Sequence, residues 1–532
     1  MPSAEVLGNS SRWEQHSWRE TTTGMERRLS YPERMYSILN RELHGQHCGF
    51  IGATVHIQSK SSSNSARLFN MPQLNARAVE AFKQTRWRYP TLAASVVDDK
   101  SAIYKTESED GIQHWAERTV STVIREGGWL ELRQHLSRTF PLPTGAGDFH
   151  LAYIVISPDE AVQSGISRFD VLLHTSHVFV DGTGIKCIFN EFLARLASPM
   201  GQEELTWGRE VARLFPPSVV LMKEEEVEQK QNPTSNRASF PTLSTLTGLS
   251  KPDIGLPIYR PELGLPKPEH RGTQLVSHTF EATFLPSLLA VSRQHGLKLA
   301  SVMHAALLVA VYQSMDVIPG PEDIFRSGSV LDLRNGWMAP PYSNRKEYVN
   351  IATSSLPILV PCALFSKPNS FWEIAGFIAT IWAGVSNMKG IAKTMEAGAK
   401  AVVEASDKKE AIRSSGSSYP KTCPYFVSDP PGSQILSKTF PIANSSSLQL
   451  VLESYQMATD QIQAFWCVSP SQPRAKPRPR CEHSDLFTWM SSSGRAHSWD
   501  NKLTLCLVFN AIRNPKGKIQ GVLDKWAGIL EA

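Results

Sequence analysis

The residues best placed to do chemistry lie between Phe169 and Ile185, in the run Phe-Asp-Val-Leu-Leu-His-Thr-Ser-His-Val-Phe-Val-Asp-Gly-Thr-Gly-Ile. Residues 171–173 are apolar and read as a buried strand. The strand runs into His174 and His177, and the chain then turns at Asp181-Gly182-Thr183-Gly184. Ile185, Ile188, Phe189, Phe192, Leu193 and Leu196 follow at spacings of three and four, one face of a helix. A histidine at a strand end can face a cleft, where a neutral imidazole can take a proton from a hydroxyl or an amine. His177 is the candidate base. Asp181 is too far along the turn to be assigned to the same imidazole, and could instead anchor the turn against a distant cation. His174 reads as core or solvent. A bare H-x-x-x-D spacing arises often by chance; the strand before it, the glycine turn within it and the helix after it raise this match.

Other elements frame this segment. A short helix is expected to start near Pro32 and a strand to run over residues 50–58. Leu74, Ala78, Ala81 and Phe82 share one side of a helix over 74–89, which Pro90 stops. Strands are expected at 93–97, 102–104 and 149–156. Further along, residues 274–284 read as a strand and 288–296 as a helix that Gly296 closes. Residues 299–312 are apolar nearly all round, which makes a central helix with His304 as a core residue. Residues 327–335 read as a strand ending in Asp332-Leu333-Arg334, and 348–357 as another. A helix over 371–388, a short strand at 424–428, an alternating strand at 503–510 and a terminal helix over 519–530 complete the pattern.

The 532 residues suffice for two lobes with a sizeable core. A hydrophobic fraction of 41% and a charged fraction of 20% are those of an ordinary globular protein. A net charge of +5 is too weak and too dispersed to argue for nucleic acid, though it suits an anionic small ligand. Seven scattered cysteines without a C-x-x-C pair suggest reduced thiols in an intracellular protein, with no disulfide frame and no metal site. The N-terminus lacks a signal-peptide core, and the longest apolar stretches are too short to span a bilayer. Residues 1–28 read as a polar tail, 29–222 as an N-terminal lobe and 273–532 as a C-terminal lobe. The charged and then proline-rich segment 223–272 reads as a surface crossover between them. A Pro/Arg-rich stretch at 469–482 reads as a solvated insertion in the second lobe. No G-x-S-x-G elbow is present, so a serine nucleophile is not indicated. Cys187 falls on the helix after the motif, pointing to the core.

His177 to Gly182 resembles the H-x-x-x-D-G signature of the chloramphenicol-acetyltransferase-like superfamily, which includes the BAHD-type CoA-dependent acyltransferases and the condensation domains of nonribosomal peptide synthetases. The helix from Leu74 with its Arg-x-x-Pro-x-Leu-like ending, the Ala-Ala-Leu of the 299–312 helix and Asp332-Leu333-Arg334 extend the likeness. Val349 stands where the superfamily usually has glycine, and the Asp-Phe-Gly-Trp-Gly motif of plant BAHD enzymes is missing. Ser176 replaces the first histidine of the usual condensation-domain pair, which favours a free-standing acyltransferase. The group most similar in plan is that of the fungal trichothecene 15-O-acetyltransferases.

The resemblance implies an α/β (α+β) fold of two lobes, each a mixed sheet with flanking helices, and an active-site channel between them. It implies an O-acetyltransferase in which His177 is the general base, Asp181 is structural and Gly182 completes the motif. Asp181 is expected to pair with Arg334. Ser354 and Ser355 are weak candidates for oxyanion or substrate contacts. The expected co-substrates are acetyl-CoA or another acyl-CoA and a small alcohol such as a hydroxylated sesquiterpenoid. No permanently bound cofactor, metal, nucleic acid or membrane span is expected, and the enzyme reads as a cytoplasmic monomer. Two alternatives stay open: condensation on a carrier-bound thioester, and a non-catalytic binding protein on the same fold.

Overall fold

The computed structural model describes residues 14–42, 48–59, 69–136, 150–201, 205–223, 273–315, 319–334, 336–344, 347–367, 370–385, 391–407, 425–428, 437–442, 448–459, 492–499, 502–510 and 515–532. The chain divides into two compact units. One comprises Met1–Glu224, Asp332–Ala352 and Gln434–Gln461; the other comprises Glu225–Leu331, Thr353–Ser433 and Ile462–Ala532. The expected crossover, apart from Lys223, and the 469–482 segment lie outside the described residues.

The first unit holds two sheets. The smaller joins β1 (Arg19–Thr21), β2 (Gly24–Arg28), β4 (Ser95–Val97) and β5 (Ser101–Lys105) in the order β1-β2-β5-β4. Residues 19–21 and 24–28 are therefore strand, joined by a turn, rather than polar tail. Their polarity reflects exposure: β1 is exposed along its length, and in β2 Arg27 is buried between exposed Glu26 and Arg28. Arg27 tolerates burial because its guanidinium forks onto Glu33, with Nη1 donating to Oε2 at 2.8 Å. Glu33 lies in the first turn of the helix Tyr31–Glu42 and also accepts from the Ser30 amide and hydroxyl, both at 2.9 Å. Burial opposes its charge, but Arg27 and Ser30 hold its carboxyl below the usual carboxylate range.

The larger sheet orders β13 (Thr439–Pro441), β14 (Leu448–Thr459), β3 (Cys48–Ser59), β8 (Arg168–Ser176), β7 (His150–Ile156) and β6 (Val120–Ile124). It is antiparallel except for β6 with β7. Two of its strands come from residues that the sequence reading assigned to the second lobe. The cause is pairing: Leu450 and Leu452 of β14 are buried, and β14 runs antiparallel along nearly all of β3. The helix Gly128–Leu136 packs on this sheet with the Trp129 ring lying directly over Gly52, where a side chain would collide with it.

The second unit carries a mixed sheet in the order β11 (Thr353–Pro361), β10 (Ile324–Asp332), β12 (Tyr425–Ser428), β15 (Ser492–Trp499), β16 (Lys502–Asn510) and β9 (Thr273–Thr279). The apolar helix Leu299–Tyr312 is buried along almost its whole length. The terminal helix Lys516–Glu531 docks on it through Trp526, whose indole donates to the Met303 carbonyl at 3.1 Å. His304 of the buried helix is bonded to the Ser327 hydroxyl at 2.8 Å, as befits a core histidine. No single described helix is long and apolar enough to cross a membrane.

Replacing Arg27 by alanine would strand Glu33 as a buried, unpaired carboxylate. Urea unfolding should show a loss of about 3–5 kcal/mol for Arg27→Ala, and the apolar double replacement Arg27→Met/Glu33→Leu should recover most of it.

Candidate active site

The motif forms where β8 ends. Its last residues are fully buried, and the turn after Ser176 begins with the Ser176 hydroxyl accepting from the Val178 amide at 3.3 Å. Asp181 is the N-cap of the helix Gly182–Ala197: its side chain accepts from the Gly184 amide at 2.9 Å, and its carbonyl accepts from Ile185. Gly182 opens that helix. Ile185, Ile188, Phe189, Phe192, Leu193 and Leu196 form its buried face.

His177 is 1% exposed, and its Nδ1 lies 2.8 Å from the Val180 carbonyl oxygen. A carbonyl can only accept, so Nδ1 carries the proton and the lone pair of the neutral ring sits on Nε2. Burial pushes the imidazole down to about 4, against the opposing pull of Val180 and Asp181, so it is neutral at physiological pH. Nε2 faces Gly49 of β3: a Cβ there would lie 3.3 Å from it, and would collide with Ile185. The Tyr36 ring from the helix Tyr31–Glu42 packs at 5.9 Å between centroids. Neither Gly49 nor Tyr36 was singled out by sequence, because both come from segments far from the motif.

Asp181 and Arg334, 153 positions apart, are brought together as a fully buried pair. Nη2 donates to Oδ1 at 2.9 Å and Nη1 to Oδ2 at 3.0 Å. Each carboxylate oxygen accepts a second bond, from the amides of Gly184 and Ala352. The remaining Arg334 donors reach the Tyr348 carbonyl (2.7 Å), the Asp332 carboxylate (3.1 Å) and the Asn350 carbonyl. All five guanidinium N–H groups thus have acceptors. Burial disfavours the charge, yet Asp181 and Asp332 raise the basicity of Arg334 above its ordinary value. Asp332 also accepts from the Thr183 hydroxyl at 3.3 Å and from the Arg334 amide at 3.1 Å. Its position two residues before Arg334 was the available signal for it.

Residues 348–352 do not form the expected strand, which begins instead at Thr353. Their backbone groups are committed to the site: Tyr348 and Asn350 accept from Arg334, Ile351 donates to the Phe179 carbonyl and Ala352 to Asp181. The close approach that a glycine at 349 would allow is made from the other side. A Cβ on Gly184 would run into the Val349 carbonyl, so here the glycine stands on the helix.

The other candidates are placed as follows. His174 is buried, opposite Phe50 on β3, and is lowered to about 4 by burial and by nearby Arg133. Burial raises the Cys187 thiol to about 12, which keeps it protonated at neutral pH. Ser354 is buried on β11 in the second unit, and the side chain of Ser355 lies outside those described. Among the described residues no cluster of histidine, cysteine and carboxylate side chains could hold a metal ion.

A buried neutral histidine at a strand end, followed by an aspartate locked to a remote arginine, on two mixed-sheet units, defines the class: the chloramphenicol-acetyltransferase-like and condensation-type fold. Among solved structures, the chain is similar over 97% of both lengths to TRI3 trichothecene 15-O-acetyltransferase from Fusarium sporotrichioides, with a TM-score of 0.74 and 14% identity. The first condensation domain of the calcium-dependent antibiotic synthetase matches with a TM-score of 0.56 and 11% identity, covering 95% of this chain and 96% of that one. The EpoB cyclization-docking bidomain from Sorangium cellulosum matches with 0.55 and 12%, covering 98% and 85%. Comparison with the curated proteins gives no match. The model of the family described as 15-O-acetyltransferase Tri3 matches residues 9–360, and the chain belongs to that family. It is an O-acetyltransferase of secondary metabolism.

Removing Arg334 should leave Asp181 charged and buried. Arg334→Ala should cost about 3–5 kcal/mol in urea unfolding and abolish turnover. Arg334→Lys should restore neither, since an ammonium cannot reach acceptors spread around a planar fork. His150 and His304 are lowered to about 3, and His174 and His177 to about 4, all with burial as the leading cause. The unfolded chain therefore binds protons below pH ~6.5 that the folded chain refuses. Stability should be flat above pH 7 and fall below about 6.5, by about 1.4 kcal/mol per histidine per pH unit until the folded value is reached. Unfolding midpoints in urea between pH 7.5 and 5.5 check this.

Proposed function

We propose that the chain transfers an acetyl group from acetyl-CoA to a hydroxyl of a trichothecene-type sesquiterpenoid, with His177 as general base. The observation that carries this reading is the bond from Nδ1 to the Val180 carbonyl, which leaves a lone pair on Nε2 of a neutral ring. Membership of a 15-O-acetyltransferase family supports the acetyl group and the class of acceptor.

In this mechanism the acceptor hydroxyl gives its proton to Nε2 as its oxygen attacks the thioester carbonyl. The C–O bond forms, a tetrahedral oxyanion appears and collapses, and the C–S bond breaks. The imidazolium returns the proton to the departing thiolate, so His177 ends neutral. Both substrates bind together and no acyl-enzyme is needed. Burial serves this cycle: with its basicity depressed, the imidazolium is a strong acid toward the thiolate. Asp181 takes no proton. Its two oxygens already accept four bonds, and its part is to hold the turn that presents His177. The reading takes the enzyme as a cytoplasmic monomer that meets both substrates from solution.

The test is thiol release from acetyl-CoA by the purified protein, with a trichothecene bearing a free 15-hydroxyl, for wild type and His177→Ala. Acceptor-dependent release that falls by 10²-fold or more in the variant is the expected result. Equal release by both would remove His177 from the mechanism. The likeness to condensation domains favours one other reading, a carrier-bound thioester as donor. Turnover of an acyl-pantetheine carrier with none of acetyl-CoA would select it.

A further inference from the structure

The structure contains a second histidine whose burial the proposed mechanism does not explain. His150, the first residue of β7, is fully buried, and neither ring nitrogen has a hydrogen-bond partner among the described residues. A buried imidazole without partners loses its bonds to water and gains nothing in return. Such groups call for an explanation, and a bound ligand is one.

Strand register says where His150 faces. It stands directly opposite Thr175 of β8, and Thr175 stands directly opposite Gly49 of β3. Residues directly opposite in an antiparallel sheet project from the same face. The row Gly49, Thr175, His150 therefore shares one face, the face on which His177 Nε2 approaches Gly49. The next residues, Phe50, His174 and Leu151, form the row on the opposite face. Within the first row Gly49 has no side chain, and the Thr175 hydroxyl donates to the Gly49 carbonyl. His150 alone keeps polar capacity unused. Two strand spacings separate it from Gly49, about 10 Å.

We propose that His150 is a specificity-determining residue that hydrogen-bonds a second oxygen of the acyl acceptor, on the same face of the sheet as the hydroxyl that His177 deprotonates. This rests on the reading of His177 as the base. The ligand it fits is a compact, polyoxygenated alcohol, since a neutral imidazole offers one donor and one acceptor to a hydroxyl, ether or ester oxygen. Burial holds the ring neutral at working pH, so the contact carries no charge and selects by geometry.

His150→Leu removes both polar atoms at similar volume, and His150→Gln keeps a donor and an acceptor. With a trichothecene that carries a free 15-hydroxyl and further ring oxygens, His150→Leu should lower kcat/KM for the acceptor about 10- to 100-fold, with His150→Gln recovering part of it. KM for acetyl-CoA should not move. The melting temperature of His150→Leu should equal or exceed that of wild type, because an unpaired polar group has been replaced by an apolar one. With a simple monohydroxy alcohol as acceptor, wild type and His150→Leu should turn over alike. An effect confined to KM for acetyl-CoA would overturn the proposal, as would an equal loss with both acceptors or none with either. Acceptor affinity measured by calorimetry on His177→Ala and on His177→Ala/His150→Leu keeps the two readings apart. A weaker Kd in the double variant upholds His150 even if the base assignment fails, and an equal Kd sinks it even if that assignment holds.

Discussion

Everything in the site hangs on one buried ion pair. Taking two full charges out of water costs several kcal/mol for each ion, and attraction between them offsets that only when every remaining hydrogen-bonding position is also filled. Asp181 and Arg334 meet that condition with four bonds on the carboxylate and all five donors of the guanidinium satisfied. The pair therefore acts as a jig. The aspartate caps the motif helix, the arginine gathers the carbonyls of Tyr348 and Asn350, and the carbonyl of Val180 sets the tautomer of the His177 ring. Because either charge alone would be ruinous in that environment, the geometry is all or nothing.

The same condition explains two oddities of the backbone. Residues 348–352 carry β-prone side chains yet are kept out of a ladder, since their amides and carbonyls are held by the ion pair and by Phe179. Gly184 and Val349 show that a close approach needs only one bare backbone. Which partner supplies it is open to exchange, so a missing glycine at 349 was no sign of a missing function.

Much of this was legible in the sequence. The histidine, the aspartate, the glycine turn and the helix after them are local, and their spacing is set by strand and helix periods. Arg334 was identifiable only through a family resemblance, because nothing in a linear chain says which cation reaches a carboxylate 153 positions earlier. Tyr36, Gly49 and His150 escaped for the same reason: each matters through register or packing between distant segments. The polar residues 19–28 misled because so short a hairpin carries mostly exposed, polar side chains and looks as polar as a loop. β14 was missed although Leu448, Leu450 and Leu452 alternate, since alternation identifies a strand without saying which sheet will take it.

That last point bears on timing. β14 closes one side of β3 along most of its length, yet the two strands are separated by about 400 residues of chain. At the usual pace of translation, β3 leaves the ribosome roughly 20–80 s before its neighbour exists. Through that interval β3 and β8 can pair, and the His177 turn can begin to form, while one edge of the sheet stays open. Arg334 emerges before β14 does, so the ion pair can lock the motif while the sheet behind it is still unfinished. A nascent chain of this design presents an unpaired β edge throughout that interval, and its yield in a cell should depend on whatever shields that edge until residue 459 has been made.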